Sequence, residues 1–326
     1  MGITRVGISG YGNLGSAIER EVVKNPDIEL QVIFTRRNPL EVGLETNATV
    51  AHIDTAGEWV GKIDVMILSG GSATDFPAMG LDSVKNFNTV DSFDNHDKIP
   101  GYFDLMDAAA KSSGNISIIS AGWDPGLFSL MRMYMNAILP DGHSYTFFGP
   151  GVSQGHSDAI RRIDGVVNAI QYTIPINSAV ESVRRGENPQ LGPGQKNARE
   201  CYVVVDEDAD KKRIVAEIKA MPYYFAGYEV TVHFITQKEL ALKHGRLTHG
   251  GNLIHTGSTG EVNNQMIELS LKLDSNPEFT ASVMLAFARA AHRLAARGES
   301  GARTVLDIPP ALLSADDYKN LIKKMV

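Results

Sequence analysis

The chain has 326 residues, of which 43% are hydrophobic and 21% charged, with Lys+Arg 31 against Asp+Glu 38 and a net charge of −7. That length favours two domains, the composition excludes a disordered chain, and the negative balance argues against nucleic acid as a partner. A single cysteine, Cys201, excludes an internal disulfide and a cysteine-based zinc site. With no run of about 18 apolar residues and no leader-like start, the chain reads as cytoplasmic, with no membrane partner.

In chain order, the apolar run Val6-Gly7-Ile8 leads straight into Gly10-Tyr11-Gly12-Asn13-Leu14-Gly15, and Leu14, Ile18 and Val22 then follow at helical spacing. A strand, a Gly-x-Gly-x-x-Gly turn and a helix in succession form a dinucleotide-binding opening. Gly10 allows the tight turn, Gly12 lets the backbone approach a pyrophosphate, and Gly15 lets the helix pack close. The second strand, at 31–34, ends in Thr35-Arg36-Arg37 where a form selective for NAD would carry an acid. Two guanidinium groups there suit a 2′-phosphate, so NADP is the expected cofactor.

Further short, continuous apolar runs at 63–68 and 115–120, with a helix at 101–112 between them, complete the pattern of a parallel sheet covered on both faces. Beyond Asp124 the pattern changes. A helix is expected at 125–139, then strands at 144–148, 169–174, 201–205 and 230–235, the last three as an open antiparallel-type sheet. Residues 186–196 and the glycine-rich 247–260 read as loops, 279–297 as a helix and 302–307 as a last strand. The fold class is therefore α/β: a Rossmann-type dinucleotide-binding domain over 1–120, onto which about 275–326 packs back, and an α+β substrate-binding and dimerisation domain with an open mixed sheet over 121–274.

Ligands of open α/β sheets bind beyond the carboxyl ends of the strands. Three clusters sit there: Ser69-Gly70-Gly71-Ser72-Ala73-Thr74-Asp75, Asp91-Ser92-Phe93-Asp94-Asn95-His96, and Ala121-Gly122-Trp123-Asp124-Pro125-Gly126. Asp before Pro before a helical run is also a helix-capping signature, which competes with a ligand role for Asp124. Two carboxylates, Asp94 and Asp124, can flank an ammonium and select it over neutral groups. In the second domain, 147–158 reads as a binding loop in which His156 is either an acid–base group or a hydrogen-bonding neighbour. Glycines beside His249 permit close backbone approach, and Arg199 either clamps a carboxylate or sits in a surface ion pair. Cys201 lies in a strand-like run unsuited to an acyl-enzyme thiol, and no nucleophile elbow, His-Glu-x-x-His site or phosphate-binding Gly-Lys-Ser/Thr loop is expected. Hydride transfer remains.

Gly10-Tyr11-Gly12-Asn13-Leu14-Gly15, Thr35-Arg36-Arg37, Gly71-Ser72-Ala73-Thr74-Asp75, Gly122-Trp123-Asp124-Pro125-Gly126, Gly151-Val152-Ser153-Gln154-Gly155-His156-Ser157-Asp158 and Asp274-Ser275-Asn276-Pro277 are landmarks of one family. The chain resembles the meso-diaminopimelate D-dehydrogenases along essentially its whole length. The resemblance implies NADP-dependent oxidative deamination at the D-centre of meso-2,6-diaminopimelate, giving L-2-amino-6-oxopimelate, ammonia and NADPH, within lysine and diaminopimelate biosynthesis, and the apolar content of 127–139 and of the second-domain sheet suits a homodimer. It implies that Gly10, Tyr11, Gly12, Asn13, Leu14, Thr35, Arg36, Arg37, Gly71, Ser72, Ala73, Thr74, Asp91, Ser92, Phe93, Ala121, Gly122, Trp123, Asp124 and Pro125 line the cofactor. It further implies that Asp94 and Asp124 face the D-centre amine beside Trp123, as the candidate catalytic pair. Phe148, Gln154 and Gly155 would then meet the D-centre carboxylate, and Thr173, Arg199, His249 and Asn276 the distant L-centre. One departure stands out: the family usually has Met-Pro before the His-Gly-Gly where this chain has Leu247-Thr248. The alternatives are an NADP-dependent D-amino acid dehydrogenase of broader specificity and, in a different class, a dinucleotide sensor without turnover.

Overall fold

The structure is a computed structural model and describes residues 2–71 and 75–326. Residue contacts divide it into two compact units, Met1–Met131 with Pro277–Val326, and Arg132–Asn276. The change of unit falls inside the helix Leu127–Ile138, and the return at the start of the helix Asn276–Ala295.

The chain opens with strands β1 (Thr4–Ser9), β2 (Ile28–Thr35), β3 (Thr49–His52), β4 (Val65–Leu68), β5 (Asn88–Val90) and β6 (Ile116–Ile118). Then come β7 (His143–Phe148), β8 (Gly151–Val152), β9 (Val166–Pro175) and β10 (Asn197–Val205). The last are β11 (Val230–Phe234), β12 (His249–Thr259), β13 (Asn263–Leu273) and β14 (Gly301–Arg303).

In the first unit a seven-stranded sheet runs β14-β6-β5-β4-β1-β2-β3, with every pairing parallel. Successive strand residues face opposite sides, so a sheet buried on both must be apolar at every position. Ile33, Val65 and Ile67 join one buried cluster, with the helices Asn13–Val22 and Asn276–Ala295. Val32, Phe34, Met66 and Leu68 join the other, beneath the helices Ala78–Val84 and Ile99–Ser113. The helix Asn276–Ala295 is fastened by Arg289, whose Nε and Nη2 donate to the two Asp27 carboxylate oxygens at 2.5 and 2.6 Å. That pairing holds the Asp27 carboxyl below its ordinary range.

The second unit has two sheets. One is four-stranded, β11-β10-β9-β8, and its core of Ile160, Ala169, Cys201, Val203, Ile214 and Ile218 lies against the helices Gln154–Arg161 and Lys211–Ala220. The other is three-stranded and antiparallel, β13-β12-β7, covered through Val180 and Val183 by the helix Asn177–Arg184.

Three sequence expectations change here. β11 runs parallel to β10, not antiparallel, because the intervening helix Lys211–Ala220 carries the chain back across the sheet. The glycine-rich 247–260 is not a loop but largely β12, the central strand of its sheet. Gly250 there has φ +149°, and a Cβ on it would stand 2.1 Å from the Leu271 carbonyl oxygen, so glycine serves close strand approach rather than a turn. β13 was not foreseen, although Ile267, Leu269, Leu271 and Leu273 alternate with more exposed residues as a half-covered strand should.

Candidate active site

β1 ends at Ser9 and the chain turns through Gly10, at φ +100°, into the helix Asn13–Val22. A Cβ on Gly15 would stand 2.4 Å from the Gly10 carbonyl oxygen, so only glycine lets the helix start this close to the turn. A Cβ on Gly12 would meet nothing within 4 Å, and no side chain caps the helix. Its first-turn N–H groups are thus available to an anion. Tyr11 is held by its hydroxyl to Glu19, whose Oε1 also accepts the Glu45 and Thr46 N–H groups at 2.9 and 2.7 Å.

This turn forms one wall of a cavity of about 730 Å³ whose lining includes Tyr11, Thr35, Arg36, Arg37 and Gly71. Arg37 Nη2 donates to the Tyr11 carbonyl at 2.7 Å, while Arg36 Nη2 reaches Asp75 Oδ1 at 3.1 Å. An open glycine cradle, an uncapped helix start and two guanidinium groups, with no acid among residues 35–37, match the donor set a phosphorylated dinucleotide requires. Ser72, Ala73 and Thr74, expected on this wall, lie outside the described residues.

The two candidate acids stand at the ends of neighbouring strands. Asp94 is exposed in the segment after β5. Asp124 follows β6 in a turn where Trp123, 8% exposed, meets Phe128 edge to face at 5.4 Å. The N-cap and first-turn positions expected of Asp124 and Pro125 are not theirs: the helix begins at Leu127. Asp91 and Ala121 present no surface at all, whereas Ser92 is partly exposed beside the nearly buried Phe93.

In the second unit, strand register assembles a polar group. Thr173 on β9 pairs with Arg199 on β10 and with Gly151 on β8, while Phe148 on β7 pairs with Gly251 on β12. Arg199 is 8% exposed; its Nη1 donates to Thr173 Oγ1 at 2.8 Å and its guanidinium lies 4.0 Å from the centre of the Tyr228 ring. Burial lowers its pKa, and a cation this deeply buried is not part of a surface ion pair. His249 accepts the Gly250 N–H at 2.8 Å on Nδ1, and burial lowers its pKa as well. A Cβ on Gly151 would stand 2.4 Å from His249 Cα, so β8, within what the sequence suggested as a loop at 147–158, passes directly against β12. Gln154 opens the helix Gln154–Arg161, Gly155 has open space where a Cβ would be, and Asn276 donates its N–H to the Leu247 carbonyl at 2.9 Å.

His156 stands as a hydrogen-bonding neighbour of Ser153. Its Nδ1 is 2.5 Å from Ser153 Oγ, its ring meets Tyr224 and Phe225 edge to face, and burial with the nearby Arg199 charge pushes its pKa down to about 4. The spacing Gly-x-Ser-x-Gly does occur at 151–155, yet Ser153 has φ −92° and ψ 112°, an extended conformation and not the strained turn of a nucleophile elbow. Burial likewise pushes the Cys201 thiol up to about 12, which removes it as a nucleophile. Tyr228 was not anticipated, because nothing in sequence spacing places its ring over Arg199. Asp75 as a partner of Arg36 is equally a product of the fold.

A family model described as the diaminopimelic acid dehydrogenase C-terminal domain matches residues 122–275. The meso-diaminopimelate D-dehydrogenase of Ureibacillus thermosphaericus is 54% identical over 322 residues, 99% of each chain. The chain belongs to the meso-diaminopimelate D-dehydrogenase family. A solved structure from Clostridium tetani, a meso-diaminopimelate dehydrogenase variant with DAP, matches with TM-score 0.94 and 49% identity over 99% of both chains. That variant is changed at positions 154, 173, 199, 248, 249 and 276; before substitution it carries the residue types found here at all of them except 248, a proline there and Thr248 here. An engineered D-amino acid dehydrogenase bound to NADP+ matches with TM-score 0.89 and 44% identity over 99% of this chain and 100% of its own. Among the described residues no helix is long and apolar enough to cross a membrane.

Proposed function

We propose that the chain catalyses the reversible, NADP-dependent oxidative deamination of the D-centre of meso-2,6-diaminopimelate. Water is consumed, and L-2-amino-6-oxopimelate, ammonia, NADPH and a proton are formed. The observation that carries this reading is the 54% full-length identity to a meso-diaminopimelate D-dehydrogenase.

Bound NADP+ supplies the hydride acceptor. Arg36 and Arg37 hold its 2′-phosphate, and the turn from Gly10 to Leu14 with the helix start behind it holds the pyrophosphate. Asp94 and Asp124 flank the D-centre ammonium and orient it, and one of them takes a proton as the nitrogen loses its charge. Trp123 covers the reacting carbon. Phe148, Gln154 and Gly155 receive the D-centre carboxylate, while Arg199, with Thr173, His249 and Asn276, grips the L-centre. The substitutions carried by the Clostridium tetani variant at five of these positions support the second-unit assignments. Binding at the far, unreactive end fixes the reacting hydrogen, so remote contacts become rate.

Thr248 replaces a family proline, which favours a looser loop and broader D-amino acid use. Against that, the Thr248 carbonyl accepts the Val152 N–H at 2.8 Å and the Leu247 carbonyl accepts the Asn276 N–H at 2.9 Å. The segment is tied on both sides, and we read the enzyme as selective for diaminopimelate. We also read it as a cytoplasmic homodimer, which the exposed Met133, Tyr134 and Ile138 of the helix Leu127–Ile138 favour and sedimentation will test.

Purified protein with diaminopimelate and NADP+ at neutral to alkaline pH should raise reduced-nicotinamide absorbance and release ammonia in equal amount. No absorbance rise would end the reading. Near-normal turnover in both Asp94→Asn and Asp124→Asn would remove the general-base role from either acid.

A further inference from the structure

Asp91 is a carboxylic acid with no exposed surface, yet it stands between the two segments that carry the candidate catalytic acids. Its Oδ1 accepts the N–H of Phe93 and the N–H of Ser120, each at 2.9 Å, and its Oδ2 accepts the Tyr102 hydroxyl at 2.7 Å. Its backbone joins the same segments: Asp91 N–H donates to the Ile118 carbonyl at 3.1 Å, and the Asp91 carbonyl accepts the Ala121 N–H at 2.8 Å. One oxygen thus ties the segment leading to Asp94 to the segment leading to Asp124.

Ser120 has φ +56°, a left-handed conformation that a non-glycine residue keeps only when its surroundings impose it. The bond from its N–H to Asp91 is such an imposition. Tyr102 is 3% exposed, and its ring is 4.6 Å from that of Phe93. A Cβ on Gly80 would stand 2.6 Å from the Tyr102 hydroxyl, so a glycine makes room for that phenol. A buried carboxylate costs stability unless it is bonded throughout, and an apolar core residue would fill the same space without that cost.

We propose that Asp91 is a positioning residue for the deamination, a buried pin that sets the segments bearing Asp94 and Asp124 in one fixed relation. The proposal rests on the function proposed above. Asp91 touches neither substrate nor the reacting atoms; it acts through the two acids.

Asp91→Asn keeps an oxygen for both N–H groups and can donate its amide to the Tyr102 oxygen, so it preserves the pin. Asp91→Ala removes it, and Tyr102→Phe removes one bond while keeping the ring. For Asp91→Ala we expect kcat per folded protein to fall about 10- to 100-fold, the scale on which a displacement of about 1 Å acts. Asp91→Asn should restore it to within about threefold, and Tyr102→Phe should fall between the two. Because the effect passes through Asp94, adding Asp91→Ala to Asp94→Asn should cost clearly less than the same change in the wild type. Should Asp91→Ala not fold, Tyr102→Phe carries the same cycle.

Unchanged kcat in a folded variant that has lost only thermal stability overturns the proposal, and so do losses that simply multiply in the double variant. A wild-type protein inert toward diaminopimelate and NADP+ defeats the proposed function instead. An active wild type with multiplying losses defeats only the role of Asp91.

Discussion

Lowering the pH should destabilise this protein through His156 before the carboxylates of its ion pairs titrate. The ring is packed between Tyr224 and Phe225 and bonded to Ser153, and burial together with Arg199 and His249 moves its pKa from 6.5 to about 4. A histidine with a depressed folded pKa binds more protons when unfolded, so stability is full above the unfolded pKa and declines as the pH falls toward the folded one. The shift of 6.5 − 4 corresponds to about 3 kcal/mol once the pH is below both values. About 2 kcal/mol of it is already lost at about pH 5. Urea unfolding from about pH 7.5 down to about pH 5, on the wild type and on His156→Gln, isolates this contribution, since the variant keeps every other titrating group. The wild type should lose about 2 kcal/mol more than the variant over that interval. If the two curves run parallel, His156 either protonates in the folded state or is solvated there, and the reasoning from its packing is refuted.

Arg36→Ala with Arg37→Ala should raise KM for NADP about 10- to 100-fold and leave KM for NAD nearly unchanged, as expected when charge-assisted bonds to one phosphate are lost; initial rates at varied cofactor would show equal losses for both if the arginines do not read the 2′-phosphate. Arg199→Met should raise KM for diaminopimelate at least tenfold, on the order of one lost charge-assisted bond. Its thermal midpoint should hold or rise, because it removes a nearly buried cation; a fall in midpoint with unchanged KM would mark Arg199 as purely structural. Gly15→Ala forces a methyl to 2.4 Å from the Gly10 carbonyl oxygen, and a loss of about 1–3 kcal/mol with weaker NADP binding is expected by denaturant titration and fluorescence.

The Rossmann-type unit was legible because its signals are local. A strand buried on both faces must be apolar at each position, as Val32, Ile33 and Phe34 are, and a helix beginning against a turn must have glycine where Gly15 stands. The second unit was harder, because its strands are half-covered and glycine has two meanings there. In 247–260 the glycines resemble those of a loop, yet Gly250 is needed because the Leu271 carbonyl oxygen crowds it from the neighbouring strand. Only the pairing of β12 with β13 distinguishes the two, and pairing is not a property of either segment alone.

The candidate site divides along the same line. Residue types that recognise charge, such as Arg36, Arg37 and Arg199, announce themselves in sequence, but what makes each usable is supplied by distant chain. Arg199 is aimed by Thr173 on β9 and by the Tyr228 ring, and Arg36 meets Asp75 across the mouth of the cavity. Asp91 shows the limit most plainly: in sequence it is one of two acids in a short polar run, indistinguishable in kind from Asp94. The fold separates them by turning one carboxyl inward, onto two backbone N–H groups and a phenol, and leaving the other exposed. An acid whose oxygens are both bonded within the core has nothing left to offer a substrate, which leaves it the positioning role proposed above.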